Sequence, residues 1–66
     1  MKTYDVQFID EETGNCKGFL ETLEYCQGYI IAYNGTNHSY FADYKTGIVQ
    51  IICNETGEIA FETKVL

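Results

Sequence analysis

The chain has no arginine, no proline and no tryptophan, and only four lysines in 66 residues. Without arginine it lacks the planar fork that grips phosphates bidentately. Lys2, Lys17, Lys45 and Lys64 stand singly and face ten acidic residues, for a formal net charge of -6. Nucleic-acid affinity rests on clustered cations, and anionic lipid attracts the same charges. Direct nucleic-acid binding and adhesion to a membrane surface are therefore not expected. The longest apolar run, residues 29–33, is far too short to span a bilayer. With no proline and no low-complexity tract, nothing marks a linker, and the length accommodates one domain.

Signals of secretion are also lacking. Met1 leads directly into a strand pattern rather than a signal peptide. Cys16, Cys26 and Cys53 are odd in number and irregularly spaced, unlike a disulfide framework. A cytoplasmic protein with free thiols is the expectation. Asn34, Asn37 and Asn54 open Asn-x-Ser/Thr triplets, which in that setting read as turn residues.

What the chain does hold is apolar and aromatic weight: 45% hydrophobic residues, six tyrosines and four phenylalanines. That suffices for a folded core, and its patterning is specific. Tyr4, Val6 and Phe8 alternate with Asp5 and Gln7, the two-residue period of a half-buried strand. A second strand is predicted over 16–20, weakened by Gly18. Over 22–33 the period changes: Leu23, Cys26, Ile30 and Tyr33 share one helical face, Thr22 is a candidate N-cap, and Asn34-Gly35 supplies the stop. Gly28 inside that helix signals either a close backbone approach or a weak helix. Further strands are predicted over 38–43, 48–53 and 58–65. The turns between them, Tyr44-Lys45-Thr46-Gly47 and Asn54-Glu55-Thr56-Gly57, place glycine where a type I turn closed by a bulge needs positive φ; Glu11-Glu12-Thr13-Gly14 repeats the pattern.

The expected fold is α+β in the order ββαβββ: one amphipathic helix packed on one face of a mostly antiparallel sheet of four or five strands. Ile59, Phe61 and Val65 are expected beneath the helix. One helix covers one face of such a sheet. The other is expected to show tyrosines and part of the 48–53 strand, and an apolar, tyrosine-bearing surface marks an interaction site.

The leading functional expectation is thus a small acidic, non-catalytic interaction module that dimerises or docks on a protein through the uncovered sheet face or the acidic rim. Tyr40, Tyr44, Ile48, Ile52, Glu55, Glu58 and Glu62 are its candidate contacts. A second expectation, by analogy of size and charge with small acidic proteins of phages and mobile elements, is a nucleic-acid mimic of the anti-restriction or anti-CRISPR type. It requires acids in a row, drawn from Asp10, Glu11, Glu12, Glu21 and Glu24 or from Glu55, Glu58 and Glu62. A third is a metal- or thiol-dependent accessory protein. Cys16, Cys26, His38 and Cys53 are the right ligand types for zinc, but structural sites bring ligands in pairs from tight turns, and these intervals are long and unequal. Buried structural thiols are the ordinary reading. Neither metal nor cofactor is expected, and no spacing points to a catalytic nucleophile or a paired acid and base.

Overall fold

A computed structural model describes residues 2–10 and 14–66, the side chains of 15–17, 19 and 20 excepted. The elements run β1 (Tyr4–Ile9), β2 (Gly14–Glu21), α1 (Leu23–Tyr33), α2 (Tyr40–Asp43), β3 (Ile48–Cys53) and β4 (Ile59–Lys64). The strands form one sheet in the order β2-β1-β3-β4, and every neighbouring pair is antiparallel. The predicted α+β arrangement, a helix on an antiparallel sheet, is present.

Two hairpins build the sheet, and α1 joins them. β2 and β3 both run antiparallel to β1 and flank it, so they are parallel to each other. Parallel strands need a long crossover, which α1 supplies over the sheet. Thr22 caps the helix, its hydroxyl accepting from Tyr25 N at 3.2 Å. Cys26 and Ile30 are its buried residues, and Leu23 and Tyr29 pack beside them. They meet Val6, Phe8, Val49 and Ile51, all fully buried, from the two central strands. Tyr33, expected on the buried stripe, is instead partly exposed.

Gly28 is the weak point of α1. A Cβ there would meet nothing within 4 Å, so no close packing requires the glycine. Gly28→Ala is expected to stabilise the protein by about 1 kcal/mol, since alanine lowers the entropy cost of helix formation. A denaturation midpoint unchanged or lowered in the variant would contradict this.

The predicted order ββαβββ is not matched, because residues 38–43 do not form a strand. His38 O accepts from Phe41 N at 3.0 Å across a tight turn, and Tyr40–Asp43 is one helical turn. Ala42 and Asp43 are poor strand formers. Tyr40 and Tyr44 lie four apart on one helical side, with ring centroids 5.4 and 5.9 Å from Phe8. Phe41 is fully buried and meets Phe8 edge-on at 4.9 Å. A strand would send Phe41 opposite to Tyr40; the helical turn lets all three rings reach one core.

The glycine turns divide. Gly57 has φ 76, as the turn pattern requires, but in the preceding turn the positive φ falls on Thr46 (φ 72) rather than on Gly47. Glu11, Glu12 and Thr13 of the first turn lie outside the described residues. Phe61 of β4 packs against the core and Val65, just after the strand, is buried, but α1 lies over β1, β3 and β2 rather than over β4 as expected. Ile59 does not follow Phe61 and Val65. A register shift between Ile51 and Ile52 pairs Ile51 with Phe61 but Ile52 with Ile59, and Ile59 is 54% exposed.

Candidate functional site

Strand alternation sends Val6, Phe8, Val49 and Ile51 towards α1, and therefore Asp5, Gln7, Ile9, Ile48, Gln50 and Ile52 to the opposite face. Both helices pack on the first side, since Ile30 and Phe41 share its core. Among the described residues no helix or strand covers the second face. A polar row crosses its middle: Gln7 pairs with Gln50 and Gln50 with Glu62. The Gln50 amide donates to Glu62 Oε1 at 2.6 Å, and Gln50 is only 9% exposed. Isoleucines flank the row in register pairs, Ile9 with Ile48 on one side and Ile52 with Ile59 on the other.

The candidate contacts do not fall on one surface. Ile48, Ile52 and Glu62 belong to the outer face. Glu55 and Glu58 are exposed around the β3–β4 turn. Tyr40 and Tyr44 lie on the other side of the sheet, half-buried against Phe8. Among the described residues the acids do not form a single row either; Glu11 and Glu12 lie outside the described residues. Asp10 follows β1 at one end of the sheet; Glu21 pairs with Tyr4 at the other end, on β2, at the opposite edge of the sheet from β4 and its Glu62.

An aromatic cluster at the α1–α2 junction was not foreseen. His38 stacks on Tyr33 at 3.9 Å and 15° between ring planes. Thr36 sets that stack: its hydroxyl donates to Tyr33 O at 2.6 Å and accepts from His38 N at 3.2 Å. Tyr29 lies 5.3 Å from Tyr33 and 5.5 Å from Phe41. Burial pushes the Tyr29 phenol pKa up, and a side-chain hydrogen bond with Ser39 pulls the other way. Ser39 itself has φ 53 and ψ -131, the first central position of a type II′ turn, which normally takes glycine. The i, i+4 spacing of Tyr29 and Tyr33 was the available sequence signal. The tight turn that swings His38 over Tyr33 had none, because Ser39 is not a glycine.

The thiols are differently placed. Cys26 is fully buried, its Sγ 3.7 Å from Tyr4 O. Burial, then the charges of Asp5 and Glu21, push its pKa to about 11. Cys53 pairs with Tyr4 from β3; the Thr56 N–H, the Thr56 hydroxyl and the Glu55 N–H lower its pKa against burial. His38 lies beyond the far end of α1. Among the described residues no three His, Cys, Asp or Glu side chains gather to hold a metal ion.

The Cys26 shift gives a pH dependence. Folding favours the neutral thiol, so this stability is fully present below the unfolded pKa of 9.0 and is lost as pH rises towards about 11. Tyr29, also raised, acts in the same direction above 10.0. The urea midpoint is expected to fall steadily over this alkaline window, and a flat profile would contradict the burial of the neutral Cys26 thiol.

Among the described residues no helix is long and apolar enough to cross a membrane. Compared with known protein families, curated proteins and solved structures, the chain matches none.

Proposed function

We propose that this chain is a small non-catalytic protein-interaction module that docks through the outer face of its sheet. The observation that carries this reading is the uncovered face itself, where Ile9, Ile48, Ile52 and Ile59 flank the Gln7–Gln50–Glu62 row. Apolar flanks around a satisfied polar centre suit a protein surface: the isoleucines supply area, and the amides fix register. Glu55 and Glu58 at the turn form an acidic rim that steers a basic partner surface without supplying much affinity. The described acids split between the β2 and β4 edges of the sheet, which favours this reading over mimicry of a phosphate row.

The test is affinity capture from the native host with the wild type and with Ile48→Asp/Ile59→Asp, two exposed sites whose change leaves the buried core intact. Partners that survive high salt with the wild type are expected to be lost with the double variant, provided its circular dichroism is unchanged. Equal capture by both proteins would sink the outer-face reading.

A further inference from the structure

We propose that Asn34 is a covalent modification site: the Gly35 backbone nitrogen displaces its side-chain amide, water completes the exchange, and residues 64–66 are unlatched from the end of α1. The inference goes beyond the docking reading and does not depend on it. Asn34 is the C-cap of α1, its N–H donating to Ile30 O at 2.8 Å. Its side chain reaches across to the end of β4. The amide Nδ2 donates to Lys64 O at 3.0 Å, and Oδ1 accepts from Leu66 N at 2.9 Å. Those two partners fix which end of the amide is which. Between them Val65 turns the other way, donating its N–H to Gly47 O at 3.0 Å and accepting from Thr46 N at 3.1 Å. Residues 64–66 are therefore held on two sides, and Asn34 supplies one of them.

Gly35 makes the reaction possible at this asparagine. It has no side chain to hinder the approach of its own nitrogen to Asn34 Cγ. Among the described residues no backbone bond occupies the Gly35 N–H, and Gly35 is exposed. Asn15, Asn37 and Asn54 instead precede Cys16, His38 and Glu55, whose Cβ atoms crowd the same approach. At Asn34 the Gly35 nitrogen gives up its proton and bonds to Cγ. The Cγ–Nδ2 bond breaks, Nδ2 takes up a proton and leaves as ammonia, and a succinimide ring closes. Water then opens the ring. Attack at Cγ breaks its bond to the Gly35 nitrogen and leaves aspartate; attack at the Asn34 carbonyl carbon breaks that carbon's bond to nitrogen and leaves isoaspartate. Water is the only co-reactant, and nothing is oxidised or reduced.

Either product loses the latch. In aspartate an oxygen replaces the Nδ2 donor, so acceptor faces acceptor at Lys64 O. In isoaspartate the side chain that bonded residues 64 and 66 becomes main chain. The backbone then lengthens by a methylene between Tyr33 O and Thr36 N, which are bonded at 3.0 Å. The intact latch also guards Asn34. With Oδ1 and Nδ2 both engaged, Cγ reaches the Gly35 nitrogen only after residues 64–66 let go. Lys45 holds the same segment from another side, donating its ammonium to Leu66 O at 3.3 Å and to Thr36 O at 3.1 Å. Val65 is buried and keeps its bonds to Thr46 and Gly47, so the release stays local.

Incubation of the purified chain in warm, mildly alkaline buffer, followed by peptide mapping with mass spectrometry, tests the proposal. Conversion is expected at Asn34 ahead of Asn15, Asn37 and Asn54, as aspartate and isoaspartate together. Lys45→Met, at an exposed position, is expected to convert about fivefold faster, the ratio that loss of an ordinary hydrogen-bonded tether gives. The products carry an added negative charge and separate by ion exchange. Their Leu66 amide is expected to exchange with solvent about tenfold faster than in the unmodified protein, with circular dichroism unchanged. Asn34→Asp, which loses the donor without lengthening the backbone, is expected to show the same faster exchange. Conversion led by another asparagine, an unchanged rate in Lys45→Met, or a Leu66 amide as protected in the products or in Asn34→Asp as before would each overturn the proposal.

Discussion

Phe41→Ala is expected to leave most of the protein unfolded. Phe41 is fully buried and is the only buried residue of α2. Its ring meets Phe8 edge-on at 4.9 Å and Tyr29 at 5.5 Å, which ties the α1–α2 junction to the central strand. Removing a buried phenylalanine costs about 3–5 kcal/mol in transfer and cavity terms. A domain of this size has roughly 3–5 kcal/mol in total, so the loss is comparable with the whole. A single helical turn cannot hold itself in water, so Tyr40 and Tyr44 lose their placement along with the ring. Phe41→Leu keeps most of the volume and is expected to lose less than about 1.5 kcal/mol. Equilibrium denaturation of the two variants decides the point. A loss under about 1 kcal/mol for Phe41→Ala would show that the cluster can collapse around the gap.

The same residue shows where the sequence was legible and where it was not. The helix could be read because three independent signals agreed: Thr22 at the cap, the spacing of Leu23, Cys26 and Ile30, and the Asn34-Gly35 stop. The alternation of Tyr4, Val6 and Phe8 is equally direct, since a one-residue slip would turn all three away from the core. Residues 40–43 failed because four residues are too few to separate a period of 2 from one of 3.6. Ile59 failed for a different reason. Alternation assigns faces only while register holds, and the shift between Ile51 and Ile52 leaves no mark in composition. The candidate surface was legible as an expectation of an uncovered face, with Ile48, Ile52 and Glu62 on it. Tyr40 falls on it only if 38–43 is a strand and Tyr44 only if it opens the turn after that strand, and the helical turn over Tyr40–Asp43 removes both conditions. His38 read as a loop residue, because its stack on Tyr33 depends on a Thr36 hydroxyl and on a conformation of Ser39 that serine rarely adopts.

Gly47→Ala is expected to cost about 3 kcal/mol, at the upper end for overpacking, and the reason differs from that of the other turn glycine. A Cβ on Gly47 would overlap Ile9 O and stand 3.0 Å from Tyr44 O. Both are backbone atoms, so no rotamer change relieves the contact. Gly47 also donates its N–H to Tyr44 O at 2.9 Å and accepts from Val65 N at 3.0 Å. It cannot move away without breaking the β3–β4 ladder at its start. The strain would pass into the Ile9–Ile48 pair, and so into the outer face. Gly57 presents the opposite case: its φ is 76, but a Cβ there meets nothing within 4 Å. Gly57→Ala therefore carries only the left-handed conformational penalty, about 1–2 kcal/mol. Urea denaturation of both variants ranks the two effects. A larger loss for Gly57→Ala would show that turn conformation, rather than the close approach of β1 to the start of β3, makes glycine necessary in these hairpins.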